Sequence, residues 1–247
     1  MVVKPQMIIF DYGHTLLYEP NWNVERGNRE LLKYVTKNPK NCSLADIQKE
    51  IDIVFYEINN VRKSFNYDIP CVTGQRLAYE HLGIEFSLTP LEQEIVFWSA
   101  ATPGAITKNA DVLLDYLNRK NIRSAVISNN GWSGEALQER FDRLLPNNKF
   151  EFIISSSDYM IRKPDKRIFE IALNKANLKP SQVWYCGDSI DTDVYGAHNA
   201  GIFPVFYQGV FPTEDQPKQK PNKNIIDFDY LKIGDWLEMV DILNNLT

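Results

Sequence analysis

The chain has 247 residues, 44% of them hydrophobic and 24% charged, so it is long enough to bury a large core without disulfide or zinc cross-links. Its 27 basic and 32 acidic residues give a net charge of -5, which argues against electrostatic binding of nucleic acid. Three widely separated cysteines form no CxxC pair, so we expect a reducing, cytoplasmic compartment. We expect neither a signal peptide nor a membrane span, because no stretch approaches the roughly 18 to 20 apolar residues that a span requires.

The first predicted element is a buried strand at residues 7–10, an apolar run that ends at Asp11. From about residue 31 to residue 97 the apolar residues recur at helical spacing in four sets. Ser43 is a plausible N-cap for the second set, and Gly83 closes the third. The sequence therefore predicts an all-helical block, which Thr102-Pro103-Gly104 ends.

Strands and helices alternate after this block. Strands are predicted at 124–127, 150–154, 183–186 and 202–207, and helices at 110–117, 135–141, 167–176, 192–200 and 233–243. A surface loop is predicted at 212–224 and a last short strand at 225–226. Repeated βα units indicate an α/β fold with a doubly wound, Rossmann-like parallel sheet. We expect a core domain of residues 1–17 and 101–247, with an inserted all-helical cap domain of residues 18–100.

Polar residues follow several of the predicted strands. Ligands of open α/β sheets bind at the carboxyl ends of the strands. This chain places five polar residues at such ends and one lysine in an adjoining loop: Asp11, Ser128, Asn129, Asp188 and Asp193, with Lys163 in the loop. Clustered carboxylates repel one another unless a cation neutralises them, and an all-oxygen ligand set suits Mg²⁺. Lysine, a small hydroxyl and loop amides are natural ligands for phosphate oxygens. The residue types alone therefore predict a Mg²⁺-assisted phosphoryl site.

Four segments in chain order carry a family resemblance: IIFDYGHTLL, VISNN, RKPD and YCGDSIDTD. They resemble the four motifs of the haloacid dehalogenase (HAD)-like hydrolase superfamily, whose members are mostly phosphohydrolases. The helical block between the first two motifs resembles the cap of one of its subfamilies. The resemblance extends from residue 7 to about residue 207 and implies hydrolysis of a small phosphorylated metabolite by a monomer or homodimer.

The resemblance also implies a role for each matching residue. Asp11 corresponds to the nucleophile that forms an aspartyl-phosphate, and Lys163 to the lysine that offsets its charge. The expected phosphate-binding residues are Thr15, Ser128, Asn129 and Lys163. The expected Mg²⁺ ligands are Asp11, the Gly13 carbonyl, Asp188 and Asp193, of which Asp193 suits an outer position that orients Lys163 or a metal-bound water.

Gly13 is the important departure from the family pattern. Phosphatases of the family usually carry at this position a second Asp, which protonates the leaving oxygen and later activates water, a contribution of roughly a hundred- to ten-thousand-fold in rate. His14 is the nearest residue that could replace it, because histidine titrates near neutrality. Slow turnover, or a non-catalytic protein that binds a phosphorylated ligand, is the alternative. Branches that cleave carbon–halogen or carbon–phosphorus bonds also lack this Asp.

Overall fold

The computed structural model describes residues 3–212, 215 and 226–246. The strands are β1 Met7–Phe10, β2 Leu17–Tyr18, β3 Val35–Lys37, β4 Glu85–Phe86, β5 Ala105–Ile106, β6 Arg123–Ser128, β7 Phe150–Ser155, β8 Val183–Gly187, β9 Phe203–Tyr207 and β10 Leu231–Ile233. The α-helices are α1 Val24–Leu31, α2 Leu44–Phe65, α3 Cys71–Leu82, α4 Pro90–Ala101, α5 Ala110–Lys120, α6 Gly134–Leu144, α7 Ser156–Tyr159, α8 Lys166–Ala176, α9 Tyr195–Asn199 and α10 Trp236–Asn245. Short 3-10 turns occupy Leu32–Tyr34 and Pro180–Gln182, and a π-turn occupies Ile190–Val194.

Six strands form one sheet in the order β10-β9-β8-β1-β6-β7, and all of its neighbouring pairs are parallel. Every residue of β1 is buried, as expected for a strand covered by helices on both faces. The chain runs from β1 to β6 and β7 on one side, then returns to β8, β9 and β10 on the other. The strand order therefore reverses at β1, where such sheets bind their ligands. This architecture confirms the predicted doubly wound α/β fold.

The helices α1 to α4 lie between β2 and β5 in the chain. Ser43 caps α2 with a reciprocal bond to Asp46, and Gly83 ends α3 in the left-handed conformation, as the sequence predicts. The block is not all-helical, however. Strands β3 and β4 form a small antiparallel pair in which Val35 lies opposite Phe86. The β-branched residues Val35 and Thr36 follow the 3-10 turn and favour this extended conformation.

Three predictions in the second half of the chain need comment. The helix predicted at 192–200 is shorter, because the π-turn takes its first residues. Most of the predicted loop at 212–224, together with Ile225, lies outside the described residues, and Ile226 has no regular structure. The last strand is instead β10, which the sequence does not signal clearly because it has only three residues. No helix within the described part of the chain is long and apolar enough to cross a membrane.

Candidate active site

Three strand ends meet where the strand order reverses. Asp11 directly follows β1, Ser128 ends β6 and Asp188 directly follows β8. Because Phe10 is in register with Val126 on one side and Cys186 on the other, these ends lie at the same edge of the sheet. The Asp11 backbone N–H donates to the Cys186 carbonyl at 2.8 Å, which continues the β1–β8 pairing to the site. Residues far apart in the sequence are thereby brought into one place.

Lys163 lies at the centre of this site with only 1% of its side chain exposed. Its Nζ is 2.8 Å from Asp11 Oδ1, 2.7 Å from Asp193 Oδ1 and 2.7 Å from the Tyr185 hydroxyl. The Tyr185 hydroxyl donates to the Ile127 carbonyl at 2.9 Å, so it can accept from the ammonium. Each of the three ammonium protons therefore has an acceptor, as a buried charge requires.

Burial first, and then the neighbouring charges, shift the pKa values of Asp11, Asp188 and Lys163. Burial raises the pKa of Asp11 to about 6, against the lowering effect of Lys163, and the charge of Asp193 adds to the rise. Burial, followed by repulsion from Asp11 and Asp193, raises the pKa of Asp188 to about 8. Burial acts to lower the pKa of Lys163, but the two carboxylates outweigh it and the pKa is raised. The site thus holds a charged lysine and two acids that resist ionisation in the absence of a further cation.

The carboxylates are close enough to share one metal ion. Ligand oxygens of Asp11, Asp188 and Asp193 lie within 4.8 Å of one another. A set of carboxylate oxygens without nitrogen or sulfur fits a hard cation such as Mg²⁺. Both Asp193 oxygens already have partners, since Oδ1 contacts Lys163 and Oδ2 accepts from the Ser189 N–H at 2.9 Å. Asp11 and Asp188 are therefore the better donors for a metal, and Asp193 is better suited to orienting Lys163.

The Asn129 side chain links the loop after β6 to the backbone of Lys163. Its side-chain amide donates to the Lys163 carbonyl at 2.9 Å, and its side-chain oxygen accepts from the Lys163 N–H at 2.8 Å. This reciprocal pair fixes the backbone of Lys163 relative to Ser128. The Asn129 side chain is consequently occupied in holding the loop.

Thr15 differs in position from the other predicted phosphate-binding residues. It is fully buried, and its Oγ1 has no hydrogen-bond partner within the described residues. Its carbonyl accepts from Thr107 Oγ1 at 2.7 Å, and Trp236 Nε1 donates to the same hydroxyl at 2.9 Å. Thr15 is thus held within the core and supports the loop after β1.

Gly13 and His14 occupy the open side of this loop. A Cβ at Gly13 would meet no atom of the described residues within 4 Å, so these residues leave room for a side chain that this sequence does not supply. His14 adopts a left-handed backbone conformation with φ 53°. Its Nε2 lies 3.0 Å from the Asp215 carbonyl, and its ring packs edge-on against Phe211. A carbonyl can only accept, so Nε2 carries the proton, and Nδ1 has no hydrogen-bond partner among the described residues.

A cavity of about 200 Å³ opens in front of the nucleophile candidate. It is lined by Asp11, Tyr12, Gly13, His14, Tyr18, Glu19, Ser128, Asn129 and Asn130. The predicted site residues thus form two groups. Some of them line the cavity, namely Asp11, Gly13, His14, Ser128 and Asn129, whereas Lys163, Asp188 and Asp193 do not line it. Sequence reasoning missed Glu19, which looks like an ordinary surface acid after β2. It also missed Tyr185, although a tyrosine within a buried apolar strand signals a hidden hydrogen-bond partner.

Comparison with known proteins agrees with the fold and the motifs. The family model described as haloacid dehalogenase-like hydrolase matches residues 105–207. Glyceraldehyde 3-phosphate phosphatase of Pyrococcus furiosus is 34% identical over 70 residues, which cover 28% of this chain and 29% of that protein. Pyrimidine 5'-nucleotidase of Escherichia coli is 35% identical over 102 residues, which cover 40% of this chain and 41% of that protein. The chain thus matches less than half the length of either relative.

The crystal structure of a HAD phosphatase from Thermococcus onnurineus has a TM-score of 0.60 and 18% identity, and the match covers 97% of this chain and 98% of that one. At that identity the likeness concerns the fold alone. The family model over residues 105–207, the two relatives and the four motifs together support membership of the chain in the haloacid dehalogenase-like hydrolase superfamily.

Proposed function

We propose that this protein is a Mg²⁺-dependent hydrolase of small phosphomonoesters that works through an aspartyl-phosphate on Asp11. The contact that supports this most directly is the 2.8 Å ion pair between Asp11 and the buried Lys163, at a strand end that opens into the 200 Å³ cavity. The phosphatase names of the two matched relatives add support, since both act on phosphate esters by name.

Asp11 has one oxygen held by Lys163 and one left to act as the nucleophile. In the first step that oxygen bonds to phosphorus, the ester P–O bond breaks, and the leaving alkoxide takes up a proton. In the second step water attacks phosphorus, loses a proton and releases the Asp11 carboxylate with inorganic phosphate. Lys163 stabilises negative charge throughout, and Ser128 and Asn129 border the space for the phosphoryl group. Mg²⁺, held by Asp11 and Asp188 with the Gly13 carbonyl and Asp193 as further candidate ligands, would neutralise phosphate charge.

Proton transfer is the step for which this chain lacks the usual residue. Gly13 has no side chain, whereas the imidazole of His14 lines the same cavity, and its Nδ1 accepts no hydrogen bond from the part of the chain that the structure describes. We therefore propose that His14 donates the proton to the leaving oxygen and later accepts one from water. The Asp215 carbonyl and the Phe211 ring hold the imidazole in place for this role.

The test is Mg²⁺-dependent phosphate release from acetyl phosphate and a panel of small phosphate esters. We expect turnover by the wild type and none by Asp11→Asn, because the amide cannot displace an alkoxide. Asp191→Asn is the matched control, since Asp191 is an exposed acid of the π-turn outside the carboxylate cluster, and it should retain activity. Turnover by Asp11→Asn at the wild-type rate would contradict the proposal.

Gly13 also favours one alternative, a protein that binds a phosphorylated ligand without turnover. The space beside Gly13 makes the two hypotheses separable, because the Cβ of an Asp introduced there meets no neighbour within 4 Å among the residues that the structure describes. If the wild type is inactive on every ester and Gly13→Asp becomes active, the non-catalytic alternative is supported. If the wild type is active and His14→Asn is not, the hydrolase with a histidine acid/base is supported.

We also infer that residues 18–100 form a cap over a core of residues 1–17 and 101–247. Helices α1 to α3 lie entirely within that range, α4 ends at its border, and α4 packs against α6 of the core. The sequence also predicts a small phosphorylated metabolite as the substrate, a monomer or homodimer, and a cytoplasmic location, and these stay predictions.

A further inference from the structure

Glu19 borders the cavity but takes no part in the carboxylate–lysine cluster. It follows β2 and is half-buried. Its Oε1 accepts two hydrogen bonds, from the Tyr12 hydroxyl at 3.0 Å and from Trp98 Nε1 at 2.5 Å. Tyr12 follows β1 and Trp98 belongs to α4, so the carboxylate is held from two sides and cannot swing freely out of the cavity wall.

Glu19 forms no direct ion pair among the described residues, although the Arg140 guanidinium lies over the Trp98 ring, 4.1 Å from its centroid. Both of its donors are neutral groups, and no lysine, arginine or histidine within the described residues forms an ion pair with it. Its second oxygen, Oε2, accepts no hydrogen bond from the described part of the chain. An acceptor that is fixed, charged and unpaired beside a ligand cavity selects for a hydrogen-bond donor on the ligand.

The phosphoryl group itself cannot be the partner of Glu19, because two anions in contact repel. The partner must therefore belong to the alcohol half of the ester. Because Asp11 and Glu19 line the same small cavity, that partner lies only a few atoms from the ester oxygen. At about 30 Å³ per water molecule, 200 Å³ equals about seven waters. That is room for a phosphoryl group and two or three further heavy atoms.

We propose that Glu19 is a specificity-determining residue that accepts a hydrogen bond from the leaving group of the substrate. The substrate class is then a phosphomonoester whose alcohol carries an ammonium or a hydroxyl two or three atoms from the ester oxygen. This inference rests on the proposed phosphate-ester site. An ammonium is favoured over a hydroxyl, because charge-assisted hydrogen bonds are the stronger ones.

The experiment compares three esters that differ only at the end of a two-carbon chain: ethyl phosphate, 2-hydroxyethyl phosphate and 2-aminoethyl phosphate. Binding with Mg²⁺ is measured by calorimetry in the Asp11→Asn background, where no turnover can distort it. We expect 2-aminoethyl phosphate to bind at least tenfold more tightly than ethyl phosphate, with 2-hydroxyethyl phosphate between them. Adding Glu19→Gln should reduce the tenfold preference to less than threefold.

Glu19→Gln is chosen because its amide oxygen still accepts from Tyr12 and Trp98, while its amide nitrogen cannot accept. The matched control is Glu57→Gln in the same background. Glu57 is an exposed acid of α2 that does not line the cavity, so this variant should retain the preference. The folding of each variant is checked by its thermal transition.

Four results would overturn the inference. The three esters could bind equally well, or none could bind, or Glu19→Gln could keep the full preference for the ammonium. Equal weakening of all three esters in Glu19→Gln would also overturn it, because that result indicates a bracing role. Turnover by the protein with Asp11 intact is followed separately. A protein that ranks the esters through Glu19 but releases no phosphate would refute hydrolysis while supporting the role of Glu19.

Discussion

Replacing Lys163 with Met removes the buried cation that contacts Asp11 and Asp193. The methionine side chain has a similar length and can occupy the same space, but it offers no proton to Asp11, Asp193 or Tyr185. Two carboxylates are then left without the partner that compensates their burial. The change therefore tests whether the three contacts of 2.7 to 2.8 Å hold the site together.

Removing one partner of a buried ion pair costs about 3–5 kcal/mol in the free energy of unfolding. For a protein of this size each kcal/mol corresponds to about 2–4 °C in the melting temperature, so we expect a decrease of about 6–20 °C. Hydrolysis should fall below detection, since the charge on the phosphoryl group loses its stabilising ammonium.

The stability loss should also depend on pH. The pKa of Asp11, already raised to about 6, rises further once the lowering effect of Lys163 is gone. A carboxyl whose folded pKa is raised contributes stability that is fully present below its unfolded pKa and is lost as the pH rises through the folded value. The difference between wild type and Lys163→Met should therefore be smallest near pH 5 and grow as the pH approaches 8.

The assay is urea unfolding at pH 5, 6, 7 and 8 in EDTA, followed by fluorescence. Lys166→Met is the matched control, because Lys166 is exposed and pairs only with Glu170 on the surface of α8. That variant should lose less than about 0.5 kcal/mol. A loss below about 1 kcal/mol at pH 8 in Lys163→Met, or a loss equal at every pH, would refute the argument from buried charge.

Three further changes test other parts of the site. Tyr185→Phe removes the hydroxyl that accepts from Lys163 and donates to the Ile127 carbonyl, so it should lower the free energy of unfolding by about 1–3 kcal/mol and also lower kcat. Tyr195→Phe is the control, and equal stability of the two variants would contradict this prediction. His14→Asn keeps a residue that tolerates φ 53° but removes the imidazole, so kcat should fall about a hundred-fold, and an unchanged kcat would exclude His14 as the acid/base. Mg²⁺ should raise the melting temperature more at pH 8.5 than at pH 6, because Asp188, with its pKa raised to about 8, must lose its proton to bind the ion; a gain independent of pH would contradict this.

The sequence alone predicts the order of strands and helices and the polar residues at the strand ends. Apolar runs such as Met7–Phe10 and Val183–Cys186 are local signals, and the residue after each run is known as soon as the run is recognised. Parallel strands place their carboxyl ends at one edge, so Asp11, Ser128 and Asp188 could be expected to meet before any contact was known. Four motifs in order add the family.

The tertiary structure alone decides which of these side chains contact one another. His14 and the Asp215 carbonyl are 201 residues apart, and Trp98 and Glu19 are 79 apart. No periodicity within a window of about ten residues carries information on such pairs, because they depend on how the crossovers and the helices α1 to α4 pack. The same holds for Tyr185, whose hydroxyl contacts Lys163 only because β8 lies beside β1.

The division has a physical cause. Hydrophobic periodicity and capping act between residues that are close in sequence, so residue types along the chain determine where strands begin and end. Burial, charge compensation and cavity shape arise only when distant elements pack together. The sequence therefore determined that carboxylates, a lysine and a small hydroxyl would gather at one sheet edge. Packing decided that Lys163 would contact both Asp11 and Asp193, and that Glu19 would line the cavity with one oxygen that accepts no hydrogen bond from the described residues.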